Sequence, residues 1–276
     1  MDAANRLKNS NHQNKKRILF SANLGFLYKE KTFLERIEAA KKDGFDGIEC
    51  HWPYNVANTA VQNVLSKTRL PLISINTNPG NIKKGFFGFS ALPQYIEKAQ
   101  FEIRRSIEYG INIGIKYLHV MAGNIPKSQY SQKTFCDNLR YACKIANDYK
   151  MDILIEPLNS KDHPNYFLSS IDQAIEILLE VDLPNLKIMF DFYHIHHMKG
   201  EVLFHFQQAK KHIGHIQIAS VPKRNEPSNY EFDFLKEILN DDTIKKPLWV
   251  GAEYNPKTGY VKDGVDWIKH FKKIFL

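Results

Sequence analysis

The sequence lacks the long apolar runs, signal segments and nucleotide-binding loops that would each indicate a different class of protein. No run approaches the ~18 apolar residues of a membrane-spanning helix. Residues 1–16 are polar, with no apolar segment of the secretory kind. No GxGxxG or P-loop pattern follows the first β-rich run, which disfavours dinucleotide and phosphate-loop folds. We therefore expect a cytoplasmic protein with no membrane partner.

Cysteine is scarce, and dense blocks of positive charge are missing. Cys50, Cys136 and Cys143 form neither a CxxC pair nor an even disulfide framework, so we expect a reducing compartment. The net charge is +8, but four basic residues and one acidic residue in segment 1–16 supply three of those charges. No basic block is interleaved with aromatic residues. We therefore expect no nucleic-acid partner, and we interpret residues 1–16 as a disordered basic tail.

Eight β-rich runs alternate with segments of helical periodicity along the rest of the chain. The runs span residues 17–23, 45–51, 70–78, 115–123, 151–159, 185–194, 213–219 and 247–255. Eight strand–helix repeats over about 260 residues match a (β/α)8 barrel in number and length. No low-complexity linker divides them. The pattern predicts one α/β domain over residues 17–276, a single (β/α)8 TIM barrel.

Local signals also place three helix ends. Gly44 follows the segment ERIEAAKKD, where a left-handed C-terminal cap is expected. Ser131 is expected to cap the start of one helix. Another helix is expected to begin near Ser169 or Ser170.

Polar residues stand at or near the end of every run. They are, in chain order, Asn23, Glu49 with His51, Asn76, His119, Glu156, Asp191, Gln217 and Glu253. The chemistry of such a barrel takes place at the carboxyl ends of its strands. The Glu–Asp–Gln–Glu series on the last four strands spans half the barrel, so these side chains can converge on one point.

Three carboxylates in that series would repel one another, which requires raised pKa values or a bound cation. Oxygen ligands of this kind favour Mg²⁺ or Mn²⁺ over zinc. The pattern therefore indicates a site for a hard divalent cation. The alternative is that these carboxylates lie in surface loops and pair with lysine or arginine.

The stretch KIMFDFYHIHHMKG, residues 187–200, places one aspartate ahead of three histidines. Asp191 lies where the strand is expected to end, which makes it the ligand candidate. His194 is expected to support a ligand or contact substrate, the alternative being a hydrogen-bonded loop histidine. For the histidines that continue toward the next helix we expect a solvated surface role, because neighbours there point in different directions; they are His196, His197 and His205.

Seven segments near the strand ends form a wider pattern. They are FSANLGFL (20–27), HVMAG (119–123), EPLN (156–159), DFYH (191–194), GHIQIA (214–219), RNEP (224–227) and EY (253–254). Together they resemble the hydroxypyruvate isomerase family of xylose-isomerase-like TIM barrels, over residues 17–272. GHIQIA followed by RNEP is the most specific part, because barrel relatives carry a histidine at the Gln217 position.

The resemblance implies roles for individual residues. Glu156 and Glu253 would act as the paired catalytic acid and base and would also touch the metal, with Asp191 and Gln217 as the remaining ligands. Arg224 would hold the substrate carboxylate, which suits a guanidinium fork. The other residues expected to orient ligands or bind substrate are His194, His215, Asn76, His119 and Glu49.

Two loops depart from the pattern expected of that family. After the third run PAGDWxxGERG is expected, but the chain reads NPGNIKKGFFG (78–88), with Asn81 for the aspartate and Phe86–Phe87 for the Glu–Arg pair. After RNEP, the chain reads SNYEFDF (228–234) in place of a glycine-rich turn leading to GEINY. Both loops shape the substrate end, so the changes bear on substrate identity.

The reaction implied is an aldose–ketose-type isomerisation in carbohydrate metabolism. Hydroxypyruvate and 2-hydroxy-3-oxopropanoate (tartronate semialdehyde) would interconvert through a metal-stabilised enediolate. The expected partner is a small 2-oxo acid, and a homo-oligomer is left open.

Other functions would use the same barrel. A 2-oxotetronate isomerase or a ketose 3-epimerase would use the same site, although an epimerase should carry histidine at Gln217. An endonuclease IV-type nuclease needs many histidine ligands, yet no histidine occurs between His215 and His270. The intact Glu–Asp–Gln–Glu set disfavours a non-enzymatic sugar-acid-binding protein.

Overall fold

The structure, a computed structural model, describes residues 18–244 and 247–275, in which strands and helices alternate. The strands are β1 Ile18–Asn23, β2 Gly47–Glu49, β3 Ser74–Asn76, β4 Tyr117–His119, β5 Asp152–Ile155, β6 Leu186–Asp191, β7 Ile213–Ile218 and β8 Leu248–Ala252. The helices are α1 Phe33–Lys42, α2 Asn58–Thr68, α3 Ile96–Ile113, α4 Gln129–Asn147, α5 Ile171–Val181, α6 Phe192–Lys199, α7 Val202–Ala209, α8 Asn229–Asn240 and α9 Trp267–Phe275. Short 3₁₀ helices span Ile82–Lys84, Pro93–Tyr95 and Val261–Asp263.

All eight strands are parallel and pair in the order β2–β1–β8–β7–β6–β5–β4–β3. The two end strands meet through a bridge between Ile48 and Leu72. Two backbone hydrogen bonds extend this contact, from Ile73 N to Ile48 O at 2.7 Å and from Cys50 N to Ser74 O at 3.0 Å. The sheet is therefore a nearly closed barrel, which confirms the predicted (β/α)8 fold and brings all eight carboxyl ends to one rim.

Each strand lies inside its predicted run, but the runs are longer than the strands. The residues that continue a run remain buried after the strand pairing ends, as Met121 and Leu158 do beyond β4 and β5. Parallel barrel strands are covered on both faces, so strand and loop alike read as continuous apolar sequence. The boundary is therefore set by backbone pairing, which hydrophobicity alone does not show.

Helix ends follow local chemistry, with one error in the prediction. Gly44 has φ +88, as a left-handed cap requires, and the Ser170 hydroxyl accepts a hydrogen bond from Gln173 N ahead of α5. The expected cap at Ser131 is wrong, because the α4 cap is Ser128. Ser131 is instead the third helical residue, and its N–H donates to the Ser128 hydroxyl at 3.1 Å.

Three further expectations concern the chain as a whole. Cys50, Cys136 and Cys143, all in the described part of the chain, are buried free thiols. Cys136 and Cys143 lie on the buried face of α4. None of the described helices is long and apolar enough to cross a membrane. The predicted tail, residues 1–16, lies outside the described ranges, so its disorder stays a prediction.

Candidate active site

The strand register gathers the predicted polar residues on one rim of the barrel. In the parallel pairing, Asp191 of β6 lies opposite Gln217 of β7. Glu156 directly follows β5 and Glu253 directly follows β8. Of the remaining predicted residues, four end their strands, namely Asn23, Glu49, Asn76 and His119, and His51 lies two positions beyond β2. We call Glu156, Asp191, Gln217 and Glu253 the acid cluster.

The acid cluster is buried, which excludes the alternative of carboxylates in surface loops. Its members are between 2% and 7% exposed. Burial raises the pKa of Glu156 well above its ordinary value, and the charges of Glu253 and Asp191 raise it further. Burial also raises the pKa of Asp191 to about 7, against the lowering effect of Arg224. Without a bound cation, Glu156 and Asp191 therefore keep their protons to a higher pH than carboxyl groups in water.

Arg224 is the cation that the chain itself supplies to the acid cluster. Its Nη2 donates to Glu253 Oε1 at 2.5 Å and to Asp191 Oδ2 at 3.0 Å, and its Nε donates to the Glu253 carbonyl at 3.2 Å. The guanidinium lies between the rings of Phe26 (4.5 Å) and Tyr193 (4.8 Å). Burial acts to raise the pKa of Glu253, but Arg224 holds it below the ordinary value.

The Arg224 backbone is fixed as firmly as its side chain. Its φ is +56, a left-handed conformation that costs a non-glycine residue roughly 1–2 kcal/mol. Two hydrogen bonds hold that conformation, from Arg224 N to Ser220 O at 2.8 Å and from Asn255 N to Arg224 O at 2.7 Å. The loops after β7 and β8 therefore position the guanidinium together.

The acid cluster fits a divalent cation. Glu156, Asp191 and His194 each offer a ligand atom, and these atoms lie within 4.8 Å of one another. Glu156 Oε1 and Gln217 Oε1 are buried and have no hydrogen-bond partner among the described residues. Buried oxygens without donors and carboxyls with raised pKa values are the donor set that Mg²⁺ or Mn²⁺ would satisfy.

His194 belongs to this group of three residues, Glu156, Asp191 and His194, which we call the compact group. Its hydrogen bonds favour a supporting role. Asn159 N donates to His194 Nδ1 at 3.1 Å, and His194 Nε2 faces Arg224 Nη1 at 3.3 Å, so both ring nitrogens lie beside donors. Burial lowers the pKa of His194 well below its ordinary value, and Arg224 lowers it further. Nε2 lies 3.8 Å from Asp191 Oδ2 and 4.0 Å from Glu156 Oε1. Contacts to Asn159 and Arg224 on its two nitrogens therefore hold the His194 ring in place beside the acid cluster.

His119 and Asn76 lie beside the acid cluster on the neighbouring strands. The register pairs them across β3 and β4. Burial lowers the pKa of His119 to about 3, so its ring is neutral, and Nδ1 lies 3.6 Å from Glu156 Oε2. Asn76 is half-buried, and its backbone carbonyl accepts a hydrogen bond from the Tyr54 hydroxyl at 2.5 Å. Their contact with substrate stays a prediction.

Glu49 and His215 lie deeper in the barrel and bond to each other. His215 Nε2 is 2.7 Å from Glu49 Oε2, and neither residue is more than 1% exposed. Gln217 Nε2 donates to Glu49 Oε1 at 2.7 Å and to Glu253 Oε2 at 2.5 Å. The structure thus places both residues where they support Gln217, and their predicted contact with substrate stays untested.

An aromatic wall, made of Trp52, Phe87, His163 and Tyr166, borders the same rim. Phe87 stacks on His163 at 4.8 Å between ring centroids and meets the edges of Trp52 at 6.4 Å and Tyr166 at 5.9 Å. His163 lies 5.9 Å from the His194 ring, so the wall adjoins the acid cluster. Sequence reasoning flagged only Phe87, through its departure from the family pattern.

Other contacts near the site were not predicted. Asn159, the last residue of EPLN, holds His194, and Asp162 Oδ2 accepts the Tyr193 hydroxyl at 3.0 Å. His51 Nε2 lies 4.0 Å from Glu253 Oε1. The surface role expected for His205 is wrong, because it is 5% exposed on the buried side of α7. His196 and His197 are half-buried.

The fold and the acid cluster define a (β/α)8 barrel with its site at the carboxyl ends of the strands. Residues 37–271 match the xylose isomerase-like TIM barrel family, and the chain belongs to that family. Two bacterial isomerases match over most of the chain, which confirms the resemblance seen in the motifs.

These relatives and one solved structure are similar along nearly their whole length. The 2-oxo-tetronate isomerase of Pectobacterium atrosepticum is 37% identical over 251 residues, covering 90% of this chain and 95% of that protein. The hydroxypyruvate isomerase of Escherichia coli is 33% identical over 258 residues, covering 92% and 99%. The crystal structure of AP endonuclease, family 2, from Brucella melitensis superposes with a TM-score of 0.85 at 29% identity, covering 91% and 98%.

Proposed function

We propose that the protein isomerises a short 2-oxo acid, with hydroxypyruvate and 2-hydroxy-3-oxopropanoate as the interconverting pair. The observation that carries this proposal is the buried acid cluster on four consecutive strand ends, with Arg224 between two of its carboxylates. The names of the two isomerases that match most of the chain support the same reaction class.

Glu156, Asp191, Gln217 and Glu253 would hold a divalent cation through their oxygens. When bound, Mg²⁺ or Mn²⁺ supplies Lewis-acid stabilisation of negative charge on the substrate oxygens. The rest of the catalytic set belongs to the chain. His194 would contact a substrate oxygen through Nε2, since Nδ1 accepts from Asn159 N.

The two glutamates are prepared for opposite roles. The environment lowers the pKa of Glu253 and raises the pKa of Glu156, which is how paired carboxyls divide into base and acid. Glu253 would take a proton from C3 of hydroxypyruvate, and a proton delivered to C2 from the Glu156 side completes the carbon rearrangement. The hydroxyl proton passes from O3 to O2, so no atom is gained or lost. The roles exchange in the reverse direction.

Arg224 is the candidate for the substrate carboxylate. Arg224 is 8% exposed, and its guanidinium lies at the rim between Phe26 and Tyr193. A forked cation beside the acid cluster would orient a 2-oxo acid with its carboxylate away from the reacting carbons. We propose the small 2-oxo acid as the partner, with no nucleic acid, and a cytoplasmic location. A homo-oligomer is not required by these residues.

A 2-oxo-tetronate isomerase is the second candidate. The Pectobacterium atrosepticum enzyme of that name is 37% identical to the chain. The four-carbon substrate would need the same acid cluster and more room near the aromatic wall. An endonuclease IV-type function is disfavoured by the donor set, since the compact group among the described residues contains a single histidine.

The test is turnover of hydroxypyruvate by chelator-treated protein, with and without added Mg²⁺ or Mn²⁺. Glu253→Gln should lower kcat by roughly 10²–10⁴-fold, because an amide cannot take the proton. Glu237→Gln, an exposed carboxylate on α8, is the matched control and should retain wild-type turnover. Full activity in Glu253→Gln would exclude this site. Turnover of 2-oxotetronate but not hydroxypyruvate would favour the second candidate.

A further inference from the structure

Glu49 is a buried carboxylate whose hydrogen bonds all go to the protein. Its Oε2 accepts the Ser21 hydroxyl at 2.8 Å and faces His215 Nε2 at 2.7 Å. Its Oε1 accepts Asn23 Nδ2 at 3.2 Å and Gln217 Nε2 at 2.7 Å. A carboxylate offers about four acceptor positions, so Glu49 has none left for a ligand.

The barrel leaves a space for this carboxylate. A Cβ added at Gly251 would lie 2.4 Å from Glu49 Oε1 and 2.5 Å from Oε2. Gly251 pairs with Gln217 across β7 and β8, so the carboxylate occupies the place of the missing side chain beside that residue. The packing therefore holds the Glu49 carboxylate against the Gln217 amide.

The Gln217 amide can face this environment in one orientation only. Its Nε2 lies between two carboxylate oxygens, Glu49 Oε1 at 2.7 Å and Glu253 Oε2 at 2.5 Å. A carbonyl oxygen turned to that place would repel both carboxylates, so the NH₂ group must occupy it. The Oε1 atom on the other side is buried and has no hydrogen-bond partner in the described structure.

We propose that Glu49 is a positioning residue that turns the Gln217 carbonyl oxygen toward the cation site. The inference rests on the proposed function, because it takes Gln217 as a metal ligand. Glu49 itself touches neither cation nor substrate. A residue that acts in this way on a ligand typically contributes 10–100-fold to metal affinity.

The experiment measures the Kd of Mn²⁺ for chelator-treated protein by titration calorimetry, in a cycle of variants. Glu49→Gln should raise the Kd roughly 10–100-fold, because the new amide lets the Gln217 amide turn over. In the Gln217→Glu background the same change should have no such effect, because a carboxylate presents an oxygen whichever way it turns. Equal effects of Glu49→Gln in both backgrounds would overturn the proposal.

Two further variants separate the possible failures. If Gln217→Ala leaves the Kd unchanged, Gln217 is not a ligand, and the ligand set of the proposed function is wrong. If Gln217→Ala raises the Kd but Glu49→Gln does not, only the positioning role is overturned. Should Glu49→Gln not fold, Ser21→Ala loosens the same carboxylate and should raise the Kd by a smaller factor. Ser106→Ala is its control, a fully buried serine bonded to Tyr54 instead.

Discussion

The acid cluster and the aromatic wall share one rim of the barrel and differ in what fixes them. Each acid-cluster residue sits at or beside a strand end, and hydrogen bonds with groups such as Arg224, Asn23 and Glu49 hold Asp191, Gln217 and Glu253. The aromatic wall consists of loop residues that contact one another mainly through ring faces and edges. From this difference we expect the acid cluster to determine the reaction and the aromatic wall to determine which substrate fits.

The wall owes its position to a loop that is tied back to the barrel. Gly88 has φ +110, and a Cβ there would lie 2.5 Å from the Met121 carbonyl. This close approach pairs Gly88 with Ala122 and carries Phe87 over the rim toward His163. Backbone contacts therefore fix the position of Phe87 in the wall. Substituting a wall side chain should leave the acid cluster intact.

The largest expected effect lies in the acid cluster. Glu156→Gln should lower kcat by roughly 10²–10⁴-fold at saturating Mn²⁺, since an amide cannot exchange a proton with the substrate as a carboxyl group can. Steady-state kinetics with hydroxypyruvate measures this, again beside Glu237→Gln. A kcat within a few-fold of wild type would show that Glu156 is not the acid.

Arg224 provides the next test, through stability in the absence of metal. Arg224→Gln leaves Asp191 and Glu253 buried without their cation, which should cost about 3–5 kcal/mol of the free energy of unfolding. Mn²⁺ should restore much of that loss by supplying the missing charge. Denaturant unfolding with chelator or with Mn²⁺ measures both values. Arg224→Lys, which keeps the charge but not the fork, should lose less.

The sequence predicted the strand-end residues of the site but not the contacts made by its loops. Glu156, Asp191, Gln217 and Glu253 were identifiable because a parallel barrel fixes where strand ends meet, and apolar runs reveal the strands. The ion pairs of Arg224 could not be predicted, because they depend on a left-handed loop conformation that no local sequence pattern indicates. The hydrogen bond from Asn159 to His194 likewise joins the loop after β5 to helix α6, 35 positions further along the chain.

The aromatic wall was the least predictable part. Trp52, Phe87 and His163 follow β2, β3 and β5, and only the folded loops bring their rings together. The departure at Phe86–Phe87 showed that the loop differs from the family pattern, but not what Phe87 contacts. Ring contacts between loops depend on backbone paths, whereas strand-end contacts depend on a register that the fold itself imposes.

A pH titration of metal-free stability examines the acid cluster as a whole. Burial raises the pKa of Asp191 to about 7 and that of Glu156 well above its ordinary value. From roughly pH 4 to 7 these two carboxyl groups bind more protons in the folded state than in the unfolded state, so their contribution to the free energy of unfolding falls as pH rises. The lowered pKa values of His119 and His194 act in the opposite direction, so the carboxyl contribution is measured by comparison with Asp191→Asn. In chelator, the stability of the wild type relative to Asp191→Asn should fall as pH rises, and a difference that rises across the window would contradict the raised pKa of Asp191.

Mn²⁺ should reverse that trend, because a cation binds the ionised carboxylates. The increase in melting temperature on adding Mn²⁺ is therefore expected to grow between pH 5 and 7. The reason is that Mn²⁺ has fewer protons to displace as the carboxyl groups ionise. Glu253 contributes little to this window, since Arg224 already lowers its pKa.

The smallest expected effect concerns the aromatic wall. Phe87→Ala should leave hydroxypyruvate turnover within a few-fold of wild type, because the ring contacts of Phe87 are with Trp52, His163 and Tyr166, outside the acid cluster. It should raise kcat/KM for 2-oxotetronate relative to hydroxypyruvate by roughly 10-fold, as expected when space opens for one more carbon. Tyr95→Ala, which removes a ring packed on Phe86 rather than Phe87, is the control. If both variants change the ratio equally, the selectivity comes from the loop's stability and not from the wall.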